Sequence, residues 1–178
     1  MPGKIIMVTG GARSGKSEFA ENMALNLSKQ NLIYLATMIP YGREGTERVE
    51  KHKKMRRNKG FKTIEKYTGL KKLTLKQEST VLLECMSNLL ANEMFENDGA
   101  GDKAVEEIII GIDSLINCTE NTVIVSNDIF GDGINYDGKT REYINNLGLI
   151  NRYISLKADM IYEIVCGIPI VIKENYIC

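Results

Sequence analysis

Gly10-Gly11-Ala12-Arg13-Ser14-Gly15-Lys16-Ser17 fits the pattern G-x-x-x-x-G-K-[ST] and decides how the rest of the chain is read. The run before it, Ile5 to Thr9, has the apolar density of a buried strand. The run after it, Lys16 to about Ser28, sets Phe19, Met23 and Leu27 on one helical face. Strand, glycine-rich loop and helix are the context that a phosphate-binding loop (P-loop) requires. Glycines let the backbone curl so that its N–H groups point at phosphate oxygens, beside the positive end of a helix. Gly10, Gly11, Ala12, Arg13, Ser14 and Gly15 therefore form the expected cradle for ATP or GTP. Lys16 is expected to reach the β and γ phosphates, and the Ser17 hydroxyl to hold Mg²⁺. Lys16 is further expected to be solvent-exposed, so that folding does not depend on it.

Outward from the loop, short β-rich runs alternate with helical stretches. Strands are expected at Leu32 to Ala36, Phe61 to Glu65, Val81 to Cys85 and Thr122 to Ser126. Helices are expected at Thr46 to Arg57, from Cys85 through Phe95, at Val105 to Ile116 and at Thr140 to Lys157. A Gly/Asp loop is expected at Asn97 to Asp102. Met160 to Val165 and Ile168 to Ile172 read as final strands, with Gly167 and Pro169 forcing the break between them. Such alternation predicts an α/β fold, a RecA-like P-loop domain over 1–178 whose mostly parallel sheet carries helices on both faces. The last two strands are too close in sequence for a parallel crossover, so one should run antiparallel.

Formal net charge is zero, which gives no long-range attraction to nucleic acid or anionic membrane. Charge is unevenly placed: Arg43 to Lys66 is basic and Glu93 to Asp113 acidic. No apolar run approaches the roughly 18 residues of a membrane span. The early strand leaves no room for a signal peptide. Cys85, Cys118, Cys166 and Cys178 lack CxxC spacing and read as reduced thiols. A cytoplasmic protein is the simplest expectation.

Three further places carry chemistry. Glu84 ends a buried strand, where a carboxylate faces the ligand crevice of α/β proteins and can hold Mg²⁺ or its water. The other reading of Glu84 is an acid at a helix N-terminus near Ser87, and the metal role is preferred. His52, the one histidine, sits among Arg48, Lys51, Lys53 and Lys54. Neutral imidazole is a good nucleophile toward phosphorus, although on pattern alone an ordinary exposed helix residue is the preferred reading. Asn127 to Gly133 reads equally as a ligand-facing loop or as a long surface turn.

Taken in order, these segments resemble the bifunctional adenosylcobinamide kinase / adenosylcobinamide-phosphate guanylyltransferase family of cobalamin biosynthesis. Val8 to Ser17 resembles its opening signature, and Tyr34-Leu35-Ala36-Thr37 its Y-[IL]-A-T. Arg48-Val49-Glu50-Lys51-His52 resembles R-[IV]-x-x-H, followed by Arg57, Phe61, Thr63 and Glu65 as R…W-x-T-x-E. Leu82-Leu83-Glu84-Cys85 with Asn92 resembles L-L-[DE]-C…N. Ser126-Asn127-Asp128 through Ile134 resembles T-N-E-V-G-x-G-I, and Gly148, Asn151, Ala158-Asp159 and Gly167-Ile168-Pro169 complete the likeness.

The resemblance implies two reactions: phosphorylation of adenosylcobinamide by a nucleoside triphosphate, then transfer of GMP from GTP through a GMP–histidine at His52. This reverses the preference stated above for His52. It also implies that Ala36, Thr37, Met38, Lys53, Lys54, Met55, Arg56, Glu65 and Glu84 line the guanine nucleotide site, and that the protein forms a homotrimer. Four departures stand out. The family's Glu before V-G is Asp128. Its I-V-P is Ile134-Asn135-Tyr136, and its R-x-F-R-D is Arg141-Glu142-Tyr143-Ile144-Asn145. One extra residue lies between His52 and Phe61, which stands where the family has Trp. These changes leave the nucleotide half intact and erode the half expected to face the corrinoid. A kinase of another small alcohol and a nucleotide-binding paralogue without turnover are the alternatives.

Overall fold

The computed structural model describes residues 3–131, 134 and 136–175, with the Met55 side chain outside that set. Cys178 and the 132–133 part of the glycine loop therefore lie outside the described residues, as does Asn135. In chain order the elements are β1 (Ile5–Gly10), α1 (Lys16–Leu27), β2 (Asn31–Ala36), α2 (Gly42–Arg56), β3 (Lys62–Glu65) and β4 (Ser79–Glu84). There follow α3 (Met86–Phe95), α4 (Ala104–Cys118), β5 (Asn121–Val125), α5 (Gly138–Lys157), β6 (Met160–Val165) and β7 (Ile168–Glu174). Short 3-10 turns occupy Leu70–Lys72 and Gly101–Lys103, the second overlapping the end of the expected Gly/Asp loop.

The strands form one seven-stranded sheet in the order β3-β2-β4-β5-β1-β6-β7. Every pairing is parallel except β6 with β7. Alternate residues along each strand supply two apolar cores. Met7, Ile33, Leu35, Val81, Leu83 and Ile124 face α3, α4 and α5. Ile6, Val8, Leu32, Tyr34, Leu82 and Val125 face α1 through Ala20 and Ala24. Both faces are covered, which is why β4 and β5 read as unbroken apolar runs. Truncating a fully buried leucine such as Leu83 to alanine would cost about 2–5 kcal/mol.

Several boundaries shift by one or two residues, and two differences from expectation stand out. Helix α2 begins a turn earlier than Thr46, because Gly45, whose added Cβ would lie 3.2 Å from the Pro40 carbonyl carbon, packs its first turn under Pro40. The final hairpin turns at Cys166 and Gly167, both at positive φ (51° and 81°), the backbone that a two-residue turn needs. Pro169 is not part of the break. It lies within β7, opposite Ile164, where an edge strand tolerates a residue without an N–H.

Candidate active site

β1 delivers the loop 10–17 to the C-terminal edge of the sheet, and α1 carries it away. Gly10 has φ 151°, and a Cβ there would lie 2.6 Å from the Ile164 carbonyl oxygen. Gly15 caps α1 in the left-handed region at φ 95°, and no side chain caps that helix end. The first-turn N–H groups of α1 are thus left for a ligand. The Ser14 hydroxyl is buried without a partner among the described residues, as a loop built to receive an oxyanion requires. From the other side the β6–β7 turn braces the loop: the Gly167 N–H donates to the Ser14 carbonyl at 2.8 Å.

Lys16 is buried, not exposed as expected, and its ammonium donates to the Gly11 carbonyl oxygen at 2.9 Å inside its own loop. Burial lowers its pKa, opposed by the nearby Cys85 and Glu84. Local sequence gave no sign of this, because Glu84 and Cys85, the charges beside Lys16, stand almost 70 positions further along the chain.

Ser17 and Glu84, the two expected metal-binding residues, touch directly: the Ser17 hydroxyl donates to Glu84 Oε1. The other carboxylate oxygen accepts from the Tyr34 hydroxyl at 3.0 Å. Register places Glu65, Ala36 and Glu84 side by side across the ends of β3, β2 and β4. Thr37 is buried, with its hydroxyl donating to the Cys85 carbonyl and accepting from the Cys85 N–H, each at 2.8 Å. Its own carbonyl accepts from Asn92 Nδ2 at 2.7 Å, so Thr37 ties β2 to β4 and α3. Ala36 and Met38 on either side are half-buried.

His52 lies half-exposed on α2. Beside it Lys53 Nζ is 3.1 Å from Glu65 Oε1, and the Tyr67 hydroxyl donates to Glu65 Oε2 at 3.0 Å. These two contacts hold the Glu65 carboxyl below its ordinary range, the Lys53 bond contributing most. Both partners are half-exposed, so the pair itself stabilises by at most about 1 kcal/mol. Lys54 is exposed. Arg56, by contrast, is buried, its guanidinium carbon 3.4 Å from the centroid of the Tyr34 ring.

The loop after β5 also joins the site. The Asp128 N–H donates to the Gly10 carbonyl at 3.0 Å, and Asn127 Nδ2 donates to the Ser87 hydroxyl at 2.6 Å. Its described part thus borders the phosphate loop rather than turning free in solvent. Tyr143 on α5 donates to the Ser87 carbonyl at 3.0 Å, and burial pushes its phenol up to about 12. Ser87 and Tyr34 were not among the expected site residues, although Tyr34 opens the Y-[IL]-A-T likeness and Ser87 marks the start of a helix. A usable signal existed for Tyr34: a phenol inside a buried strand must find an acceptor, and the neighbouring strand ends in a carboxylate.

A mostly parallel sheet, a glycine-rich loop between β1 and α1, and a Ser–carboxylate pair joining the first turn of α1 to the end of β4 define a P-loop nucleotide-binding fold. The solved ATPase domain of G40P shares that fold at TM-score 0.53 and 10% identity, covering 97% of this chain and 78% of its own. The family model for cobinamide kinase / cobinamide phosphate guanyltransferase matches residues 6–172. The "Bifunctional adenosylcobalamin biosynthesis protein CobU" of Escherichia coli (strain K12) is 32% identical over 184 residues, 95% of this chain and 99% of that protein. Its counterpart in Salmonella typhimurium gives the same identity and coverage. The chain belongs to the cobinamide kinase / cobinamide phosphate guanyltransferase family, and is a cobalamin-biosynthesis transferase of that kind.

Proposed function

We propose that this protein carries out both family reactions in one P-loop transferase domain. In the first, the hydroxyl oxygen of the adenosylcobinamide aminopropanol arm attacks the γ-phosphorus of ATP or GTP. The nucleoside diphosphate leaves with the bonding electron pair and the hydroxyl proton is lost. In the second, a ring nitrogen of His52 attacks the α-phosphorus of GTP, forming a P–N bond and expelling pyrophosphate. A phosphate oxygen of adenosylcobinamide phosphate then attacks the same phosphorus, the P–N bond breaks, and adenosylcobinamide-GDP leaves the imidazole free.

The observation that carries this reading is the direct contact of Ser17 with Glu84 at the mouth of the glycine loop. A hydroxyl and a carboxylate are hard oxygen donors of the kind Mg²⁺ takes alongside substrate phosphates and water. Bound there, Mg²⁺ would neutralise charge developing on the phosphoryl oxygens. The chain's own part is to cradle phosphate with the 10–15 backbone, to place the Lys16 ammonium beside it, and to present His52 from α2. Of the residues that the resemblance puts at the guanine nucleotide, Ala36, Met38, Lys53, Lys54, Glu65 and Glu84 are read as bordering it, and the buried Thr37 and Arg56 as supporting that border; the Met55 side chain lies outside the described residues. A homotrimer is part of the same reading, supported by the apolar outer strand with Ile168, Ile170, Val171 and Ile172 exposed. So is a cytoplasmic location, consistent with no described helix being long and apolar enough to cross a membrane.

Incubation with GTP labelled at the α-phosphate tests the reading. An acid-labile protein–GMP adduct is expected, absent in His52→Ala, which should still phosphorylate adenosylcobinamide. Kinase activity without an adduct would instead make the protein a kinase alone. Neither activity would leave a nucleotide-binding paralogue.

A further inference from the structure

Tyr34 touches both Glu84 at the mouth of the phosphate loop and Arg56 on the histidine helix. On one side its hydroxyl donates to Glu84 Oε2 at 3.0 Å, while Glu84 Oε1 accepts from Ser17. On the other, the flat face of its ring carries the Arg56 guanidinium at 3.4 Å. Phe61 meets the ring edge-on, with centroids 6.0 Å apart and planes at 86°.

Arg56 lies one helical turn beyond His52, on the same face of α2. It is only 5% exposed. Its Nε and Nη1 have no hydrogen-bond partner among the described residues. A buried guanidinium without a carboxylate is costly. What holds it is the aromatic face beneath it, whose quadrupole attracts a desolvated cation. Just past α2, Lys59 Nζ lies 2.6 Å from Glu21 Oε2, and Glu21 is buried on α1. The C-terminal end of the histidine helix is thus seated on β2 and on α1, the helix that leaves the phosphate loop.

We propose that Tyr34 is a positioning residue that couples the cation end of the phosphate site to the histidine helix. Its hydroxyl aims the Glu84 carboxylate, and its ring seats Arg56 and, through it, His52. The proposal rests on Glu84 as a cation ligand and on His52 as the GMP acceptor.

Two shape-conserving substitutions separate the arms. Tyr34→Phe removes the hydroxyl and keeps the ring, and Arg56→Met removes the cation and keeps much of the packing. Mn²⁺ affinity is read by electron paramagnetic resonance with a non-hydrolysable ATP analogue bound. The limiting rate and KM for GTP of adduct formation are read by α-phosphate labelling at saturating Mn²⁺. Tyr34→Phe is expected to weaken Mn²⁺ binding about 10–100-fold, the range for losing an outer partner of a metal ligand, and to label at the wild-type rate. Arg56→Met is expected to keep Mn²⁺ affinity and to lower the limiting labelling rate about tenfold or more, as misplacing a reacting group does, with KM unchanged. Unchanged Mn²⁺ affinity in Tyr34→Phe overturns the hydroxyl arm. A raised KM at unchanged limiting rate in Arg56→Met makes Arg56 a nucleotide contact and overturns the seating arm. A wild-type protein that binds Mn²⁺ but never labels defeats the His52 reading instead, and leaves the hydroxyl arm to stand or fall on the Mn²⁺ measurement.

Discussion

The Ser17 hydroxyl on the first turn of α1 donates to Glu84 at the end of β4, a residue 67 positions away in sequence. Two oxygens that sequence reading assigned to one cation meet at one point, because β4 and α1 both border the C-terminal edge of the sheet. Glu84→Gln keeps the shape and a polar contact to Tyr34 but removes the negative charge. We expect divalent-cation affinity and both turnovers to fall by at least about tenfold, the scale of one charge-assisted hydrogen bond of 1.5–3 kcal/mol. The melting temperature should change little. A Mn²⁺ titration against wild type checks this, and unchanged affinity would remove Glu84 from the cation site.

Lys16→Ala should abolish triphosphate binding without unfolding the protein. The buried ammonium has one carbonyl partner and a lowered pKa, so folding loses little when it goes. The sign of the pH dependence follows from linkage. Between the lowered folded pKa and the unfolded value of 10.5, the unfolded chain holds a proton that the folded chain has shed. Wild-type stability should therefore rise across that window relative to Lys16→Ala. Calorimetric titration with ATP and urea unfolding at several alkaline pH values check both parts.

Gly10→Ala should destabilise the fold and not only the site. Its Cβ would lie 2.6 Å from the Ile164 carbonyl oxygen and 2.8 Å from Ser14 Oγ, at a φ that L side chains rarely adopt. A loss of about 1–3 kcal/mol is expected from the backbone strain alone, read as a lowered urea midpoint at unchanged slope. Gly11→Ala, which meets nothing within 4 Å, is the control and should unfold like wild type.

Ile144 and Asn145 stand on α5 beside Tyr143, whose hydroxyl reaches the Ser87 carbonyl at the edge of the site. Ile144→Arg together with Asn145→Asp restores the family's Arg–Asp pair and should raise turnover of adenosylcobinamide without altering GTP affinity. Either change alone should do less, since an unsupported arginine is poorly oriented and a lone aspartate repels phosphate. Steady-state kinetics with adenosylcobinamide as the varied substrate decide it. A double variant no better than wild type would mean that this segment does not contact the corrinoid.

Much of the frame was legible before any coordinates. Gly10 to Ser17 announces its strand and helix because phosphate binding needs a specific local backbone, and local backbone is written in glycines. The short link between Val165 and Ile168 excludes a parallel crossover by length alone, and β6 and β7 are indeed antiparallel. Boundaries were less legible where they depend on backbone packing and on a strand's place in the sheet, neither of which hydrophobic periodicity records. Gly45 under Pro40 lengthened α2, and edge position let Pro169 sit inside β7.

By itself, then, the sequence determined the nucleotide loop, the alternation that makes a parallel sheet, and the family likeness that runs from Val8 to Pro169. All three depend on residue type at fixed spacing. Only the tertiary structure decided that Lys16 is buried, that Ser17 and Glu84 share a bond, and that Tyr34 stands between Glu84 and Arg56. Those relationships follow from strand order and register. Parallel strands far apart in sequence bring their ends together, and no local pattern encodes which distant side chain will arrive there.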